Sequence, residues 1–235
     1  MSHYPPGDAY RSAVRLEASR LAGTGRIADD LWLIAHHEAT GRLHLPRRAT
    51  GVGMAGGLLA ELLAVEVPAV TVHHGYVLPL RDRSGTLTAM SARPDEPVAA
   101  HVLDAIVSEP TPLPARDWLL YLGKTAAASV AGRLERSGYV ARRRWRLVPV
   151  NPDWSHCALL RAHRALEQAR TPAPYSALLA GLVLACGLEF RFWSGFPGAP
   201  VRPAGEATAT LPGPLRELVA QVQATADSTV LSTRK

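Results

Sequence analysis

The sequence has no apolar run long enough to cross a bilayer. Its longest, Tyr175–Leu188, is broken by Ser176, Gly181 and Gly187 and falls short of the roughly 20 residues that a spanning helix needs. Met1–Gly7 has no apolar signal-peptide core, so a cytoplasmic location is expected. Cysteine is scarce: Cys157 and Cys186 are the two, with no Cys-x-x-Cys spacing. In a reducing compartment they read as small buried apolar side chains rather than a disulfide. Charged residues make up 20% of the 235-residue chain and apolar residues 47%. That is too little charge for a disordered chain and enough apolar material for a core. Signatures of catalysis are missing too. There is no phosphate-cradling P-loop, no Gly-x-Gly-x-x-Gly after a strand, no Gly-x-Ser-x-Gly elbow and no His-x-x-x-His beside a catalytic glutamate. A protein that binds, without enzymatic activity and without a cofactor, is the expectation.

Three patterns imitate chemistry and have plainer readings. His36-His37 and His73-His74 are adjacent, so their rings diverge on a helix or strand and do not chelate one ion. His156 and His163 share a helical face, but Cys157 lies off it. No metal site is expected. Asp29 and Asp30, with Glu38 nearby, could be drawn as a carboxylate cluster; acids opening a helix are the simpler account.

What the chain does have is concentrated positive charge. Between Arg133 and Arg170 stand nine arginines against three acids, Glu135, Asp153 and Glu167, which equals the whole net charge of +6. A focused basic region attracts phospholipid headgroups or nucleic acid, where a dispersed excess would mainly aid solubility.

Periodicity and punctuation predict a mostly α, single globular domain with short β-hairpins and about eight helices. Residues 1–25 read as a flexible arm with a helical turn at Tyr10–Leu21, 26–226 as the domain, and 227–235 as a flexible tail. A helix opens at Asp29-Asp30 and ends at Thr40-Gly41. Thr50–Val65 reads as a buried central helix whose Gly53, Gly56 and Gly57 let another helix approach closely. Val67–Leu80, interrupted at His73-His74-Gly75, reads as a hairpin. A helix from Pro94–Pro97 to Ser108 precedes a stiff proline linker, Glu109–Pro114. Helices Ala115–Leu122 and Lys124–Ser137 follow, the second capped by Gly138. Tyr139–Val150 reads as a second hairpin with an arginine-rich tip. Helices at Ser155–Ala169 and Tyr175–Leu188, a loop at Gly195–Gly213 and a last helix from Pro214 to about Ala226 complete the chain.

Several of these segments together resemble the Golgi phosphoprotein 3 family. Arg26–Gly41 is similar to its opening helix and turn, and Ala55-Gly56-Gly57-Leu58-Leu59-Ala60-Glu61-Leu62 to its Gly-Gly-x-x-x-Glu-Leu helix. Leu103–Ile106, the proline linker, Trp118, Leu134–Val140 and the leucine-rich 177–185 follow in the family's order, over roughly residues 26–226. The resemblance implies a mostly α-helical domain that binds phosphatidylinositol 4-phosphate on a membrane. It also implies possible client protein tails and self-association through the hairpin. The alanine- and arginine-rich composition resembles a bacterial member, peripheral on the inner membrane face. In eukaryotic members the headgroup is held by a tryptophan nine residues before an Arg-Gly-Gly and by two arginines on the helix before the hairpin. Those positions here are Pro46, Ala55, Ala127 and Ser129.

The candidate lipid- and phosphate-binding residues are therefore others: Arg142, Arg143, Arg144 and Arg146 with Trp145 on the hairpin, and Arg47 with Arg48 beside the altered pocket position. Arginine forks onto phosphate, and tryptophan favours the boundary between headgroups and acyl chains. Lys124 and Arg133 are candidate displaced pocket cations. Two alternatives remain for the basic hairpin, the wing of a nucleic-acid-binding winged helix (Lys124–Val150) and a protein-interaction scaffold.

Overall fold

The computed structural model describes residues 23–64, 68–80, 93–167, 172–195 and 204–232. The expected turn at Tyr10–Leu21 lies outside them. The centre of the molecule is α1 (Ile27–Ala35), in which all nine residues are buried. A helix buried on every side is stable only when wrapped by others, and its two aspartates, Asp29 and Asp30, need partners inside the protein. It stops where His36 turns extended, and Gly41, at φ +62°, closes the following turn with its amide 2.8 Å from the His37 carbonyl.

Next comes α2 (Arg47–Leu63), which starts a turn earlier than its apolar spacing suggested, immediately after Pro46. Its glycines serve the expected purpose. A Cβ on Gly57 would lie 2.9 Å from the Ala28 Cα, so α1 and α2 cross almost backbone to backbone. The first hairpin forms between β1 (Val70–His73) and β2 (Tyr76–Pro79), through a two-residue turn in which His74 and Gly75 both take positive φ. That geometry matches the right-handed strand twist.

The helix α3 (Pro97–Ser108) is capped by Glu96, whose carboxylate accepts the Ala99 amide at 2.8 Å. The proline linker then departs from its reading as a mere spacer. Leu113–Pro114 forms a third strand, β3, paired antiparallel to β2. Proline is tolerated there because an edge strand can forgo one N–H.

Beyond it lie α4 (Ala115–Leu122) and α5 (Ala126–Arg136), the latter ending at Gly138 with φ +75°, as its sequence predicts. The second hairpin, β4 (Val140–Arg143) and β5 (Arg146–Pro149), turns at Arg144-Trp145. Two long helices follow, α6 (Asp153–Glu167) and α7 (Pro174–Ala185). Two short helices, α8 (Phe190–Gly195) and α9 (Ala204–Ala207), were not expected. They are too brief for a periodic signal, and α8 is held by the fully buried Phe192. The last helix, α10 (Gly213–Ser232), continues past its predicted end at Ala226. Its Ala-Thr-Ala-Asp-Ser-Thr segment has weak propensity, but Thr225, Ala226 and Thr229 are buried, and packing overrides propensity.

The architecture is thus mostly α, a single globular domain with two small antiparallel sheets among the described residues. Helices α2, α5, α6 and α7 pack around α1, while α10 covers α2 and α7. Among the described residues, no helix is long and apolar enough to cross a membrane.

Candidate functional site

A cavity of about 760 Å³ opens where five parts of the chain converge. The end of α1 supplies Trp32 and His36, the following loop Arg42 and Leu43, and the first turn of α2 Arg47 and Thr50. The Gly123–Lys124 turn and α5 contribute Lys124, Ala127, Ala128 and Ala131, and the second hairpin adds Arg142, Trp145, Arg146 and Leu147. Gly41 makes this convergence possible. Any Cβ there would overlap the Leu147 carbonyl oxygen, so only glycine lets the loop lie against β5 and bring Arg42 beside the hairpin.

The electrostatics are one-sided. Among the described residues, five cations line the cavity, Arg42, Arg47, Lys124, Arg142 and Arg146, and no aspartate or glutamate does. Arg142 sits 3.5 Å from Glu135; the other four make no ion pair among the described residues. Two helices, α2 and α5, begin at the cavity with neither a capping side chain nor an acid in the first turn. By contrast α1 and α4 carry Asp29, Asp30 and Asp117 in theirs. The positive ends of α2 and α5 therefore add to the field of the five side chains. Three alanines on α5 leave the interior open for a ligand.

At the base, Trp32 and His36 stack with ring centroids 3.7 Å apart. His36 Nδ1 lies 2.8 Å from the Trp32 carbonyl. A carbonyl only accepts, so Nδ1–H donates and Nε2 keeps its lone pair. Burial pushes the imidazole pKa down to about 4, so the ring is neutral at pH 7. A pH dependence follows. Unfolded histidine takes a proton near 6.5, while the folded ring resists until about 4. The unfolded state binds more protons between those values, and stability falls as pH falls through the window. Relative to His36→Phe, which keeps the stacked ring, the wild type is expected to lose about 3 kcal/mol by pH 4. Urea denaturation of both proteins at several pH values measures this difference, and a difference independent of pH would refute the neutral assignment.

Of the residues singled out from sequence, Arg47, Arg142, Trp145 and Arg146 come together at this cavity. Arg143 and Arg144 are exposed at the hairpin tip, outside its wall. Strand alternation turns Arg143 away from Arg142, and Arg144 occupies the turn at φ +56°. Arg48 parts from Arg47 and lines a neighbouring cavity. Lys124 is a cavity cation, as its position suggested, and Arg133 is not. Arg133 is buried and donates to Asp29, Glu61 and Glu96 at 2.8–3.0 Å. Arg161 is likewise buried against Asp30 at 2.5 Å, with the Tyr175 hydroxyl donating to the same carboxylate at 2.9 Å. Two of the nine arginines behind the basic segment thus neutralise interior acids. Asp29 and Asp30 start a helix, as predicted, but are also the anchors of those arginines. Arg42, Trp32, His36 and Thr50 were missed. The turn signal at Thr40-Gly41 announced the loop, but nothing local announced that it folds onto the hairpin.

A mostly helical, single-domain protein with a cationic cavity beneath a basic two-stranded hairpin is the class that this fold and site define. The chain belongs to the Golgi phosphoprotein 3 (GPP34) family, whose model matches residues 27–222. No curated protein and no solved structure matches it.

Proposed function

We propose that this protein is a non-enzymatic peripheral membrane adaptor that takes anionic phospholipid headgroups into the Arg42–Arg47–Lys124–Arg142–Arg146 cavity. The observation that carries the reading is the convergence of five cations and two uncapped helix starts, with no acid beside them among the described residues. Trp145, 74% exposed at the rim, would rest at the boundary of headgroups and acyl chains. Phosphatidylinositol 4-phosphate is one such ligand. The cations here come from different positions than in the family pattern, so acceptance extends to other anionic phospholipids. The protein would work at the cytoplasmic face of a membrane and could carry a client protein tail there.

The nucleic-acid reading is weaker for a specific reason. α5, which would be the recognition helix, turns three alanines to the cavity and buries Val130 and Leu134, leaving few base-reading groups.

Vesicle co-sedimentation tests the proposal. Each basic residue at an anionic surface contributes about 1 kcal/mol. Arg47→Glu/Arg142→Glu/Arg146→Glu is therefore expected to lower binding to anionic vesicles at least about 100-fold, and wild-type binding should weaken with added salt. Wild-type indifference to vesicle charge at low salt would refute the proposal. A marked preference for phosphatidylinositol 4-phosphate over other lipids of equal charge would narrow the ligand to that headgroup.

A further inference from the structure

Next to the first cavity lies a second of about 450 Å³, lined by Arg48, Val52, Arg116, Leu120, Gly123, Lys124, Ser228 and Thr229. The two share Gly123 and Lys124. The wall between them is a contact of two glycines. A Cβ on Gly51 would overlap the Gly123 carbonyl oxygen, so α2 and the α4–α5 turn touch through bare backbone. Successive residues of a helix are separated by about 100°. Gly51 therefore falls between two faces of α2: Arg47 and Thr50 point into the first cavity, Arg48 and Val52 into the second. Lys124, at the top of this wall, borders both.

The second cavity repeats the chemistry of the first. Among the described residues, Arg48, Arg116 and Lys124 make no ion pair and no acid lines the cavity. Leu120 is exposed at its rim, and Tyr121, the next residue of α4, is exposed as well. Each cavity thus combines cations, all but Arg142 outside any ion pair among the described residues, with an accessible apolar or aromatic side chain, the composition expected at a headgroup boundary.

We propose that the second cavity is a second phosphate subsite, and that the protein reads diphosphatidylglycerol, in which one glycerol joins two phosphodiesters. One phosphate would sit among Arg42, Arg47, Arg142 and Arg146, the other between Arg48 and Arg116. Lys124 serves both from the ridge. This inference rests on the headgroup reading of the first cavity. Its energetic basis is that two linked phosphates engage as one event, the second at high effective concentration, whereas separate headgroups must each be captured.

The test compares vesicles of diphosphatidylglycerol and of phosphatidylglycerol at equal surface charge, in one neutral background lipid. Wild type is expected to bind the first at least about tenfold more tightly. Arg48→Gln/Arg116→Gln should remove that preference while leaving measurable phosphatidylglycerol binding. Arg143→Gln/Arg144→Gln, which removes the same charge from the hairpin tip, should weaken both lipids equally and keep the preference. Equal wild-type affinity for the two lipids overturns the second subsite and leaves the first reading intact. A preference that survives Arg48→Gln/Arg116→Gln overturns it as well. Failure of wild type to bind either vesicle overturns both readings.

Discussion

Arg133→Met is expected to destabilise the protein by about 3–5 kcal/mol at pH 7.5, the usual cost of removing one partner from a buried ion pair. Arg133 is 2% exposed and is the hub of three carboxylates from three separate elements. Asp29 belongs to α1, Glu61 to α2 and Glu96 to the cap of α3. Two of them have further duties. Glu61 accepts the Ala28 amide at 2.9 Å, and Glu96 holds the first turn of α3. Even with Arg133 in place, burial raises the Asp29 pKa to about 6, against the pull of the guanidinium. Without Arg133 all three carboxylates lose their counter-charge, and Asp29 and Glu96, whose carboxylates Arg133 holds down, take up protons more readily in the folded state. The folded variant then binds more protons than its unfolded chain above the ordinary carboxylate range. Its stability falls as pH rises and recovers on acidification. Urea denaturation of the variant and wild type at pH 5 and pH 7.5 should give the smaller gap at pH 5. Arg133→Lys keeps the charge but not the fork, and should fall between the two. A loss below 1 kcal/mol at pH 7.5 would mean that the network is not the junction of α1, α2 and α3.

Gly51→Ala is expected to cost about 1–3 kcal/mol and to weaken vesicle binding at both cavities together. The new methyl group meets the Gly123 carbonyl, a backbone atom that cannot rotate aside. Helix α2 and the α4–α5 turn must separate, and Lys124 moves with the turn. Gly132→Ala on α5 is the informative comparison. There a Cβ meets nothing closer than the tip of Arg136 at 3.5 Å. Alanine's better helix propensity should stabilise the protein by about 1 kcal/mol. Thermal denaturation of the two variants should shift in opposite directions. A Gly51→Ala protein as stable as wild type and with unchanged vesicle binding would show that the wall between the cavities is not fixed by this contact.

The helices were legible because their signals are local. Gly138 and Pro97, the first residue of α3, mark ends and beginnings, and the Gly53–Gly57 spacing marks a close crossing. The β4–β5 hairpin was legible from two apolar runs around a basic centre. What could not be read is pairing across distance. Arg133 meets Asp29 over a separation of 104 residues, and Arg161 meets Asp30 over 131. In the sequence Arg161 counts only towards the basic segment, Arg133 reads as a candidate pocket cation, and the two acids read as helix-start residues. The cavity was half legible for the same reason. Arg47 and the hairpin arginines stood out as basic, but the separation of Arg47 from Arg48 depends on where Gly123 touches α2. Arg42 belongs to the site only because Gly41 lies against β5.

The complete burial of α1 has a consequence during synthesis. Its partners α5, α6 and α7 lie up to about 150 residues further along the chain. At translation rates of about 5–20 residues per second, this apolar helix with its two carboxylates waits roughly 8–30 s for them to emerge. Chaperone demand should therefore concentrate on nascent chains that contain α1 and still lack α7.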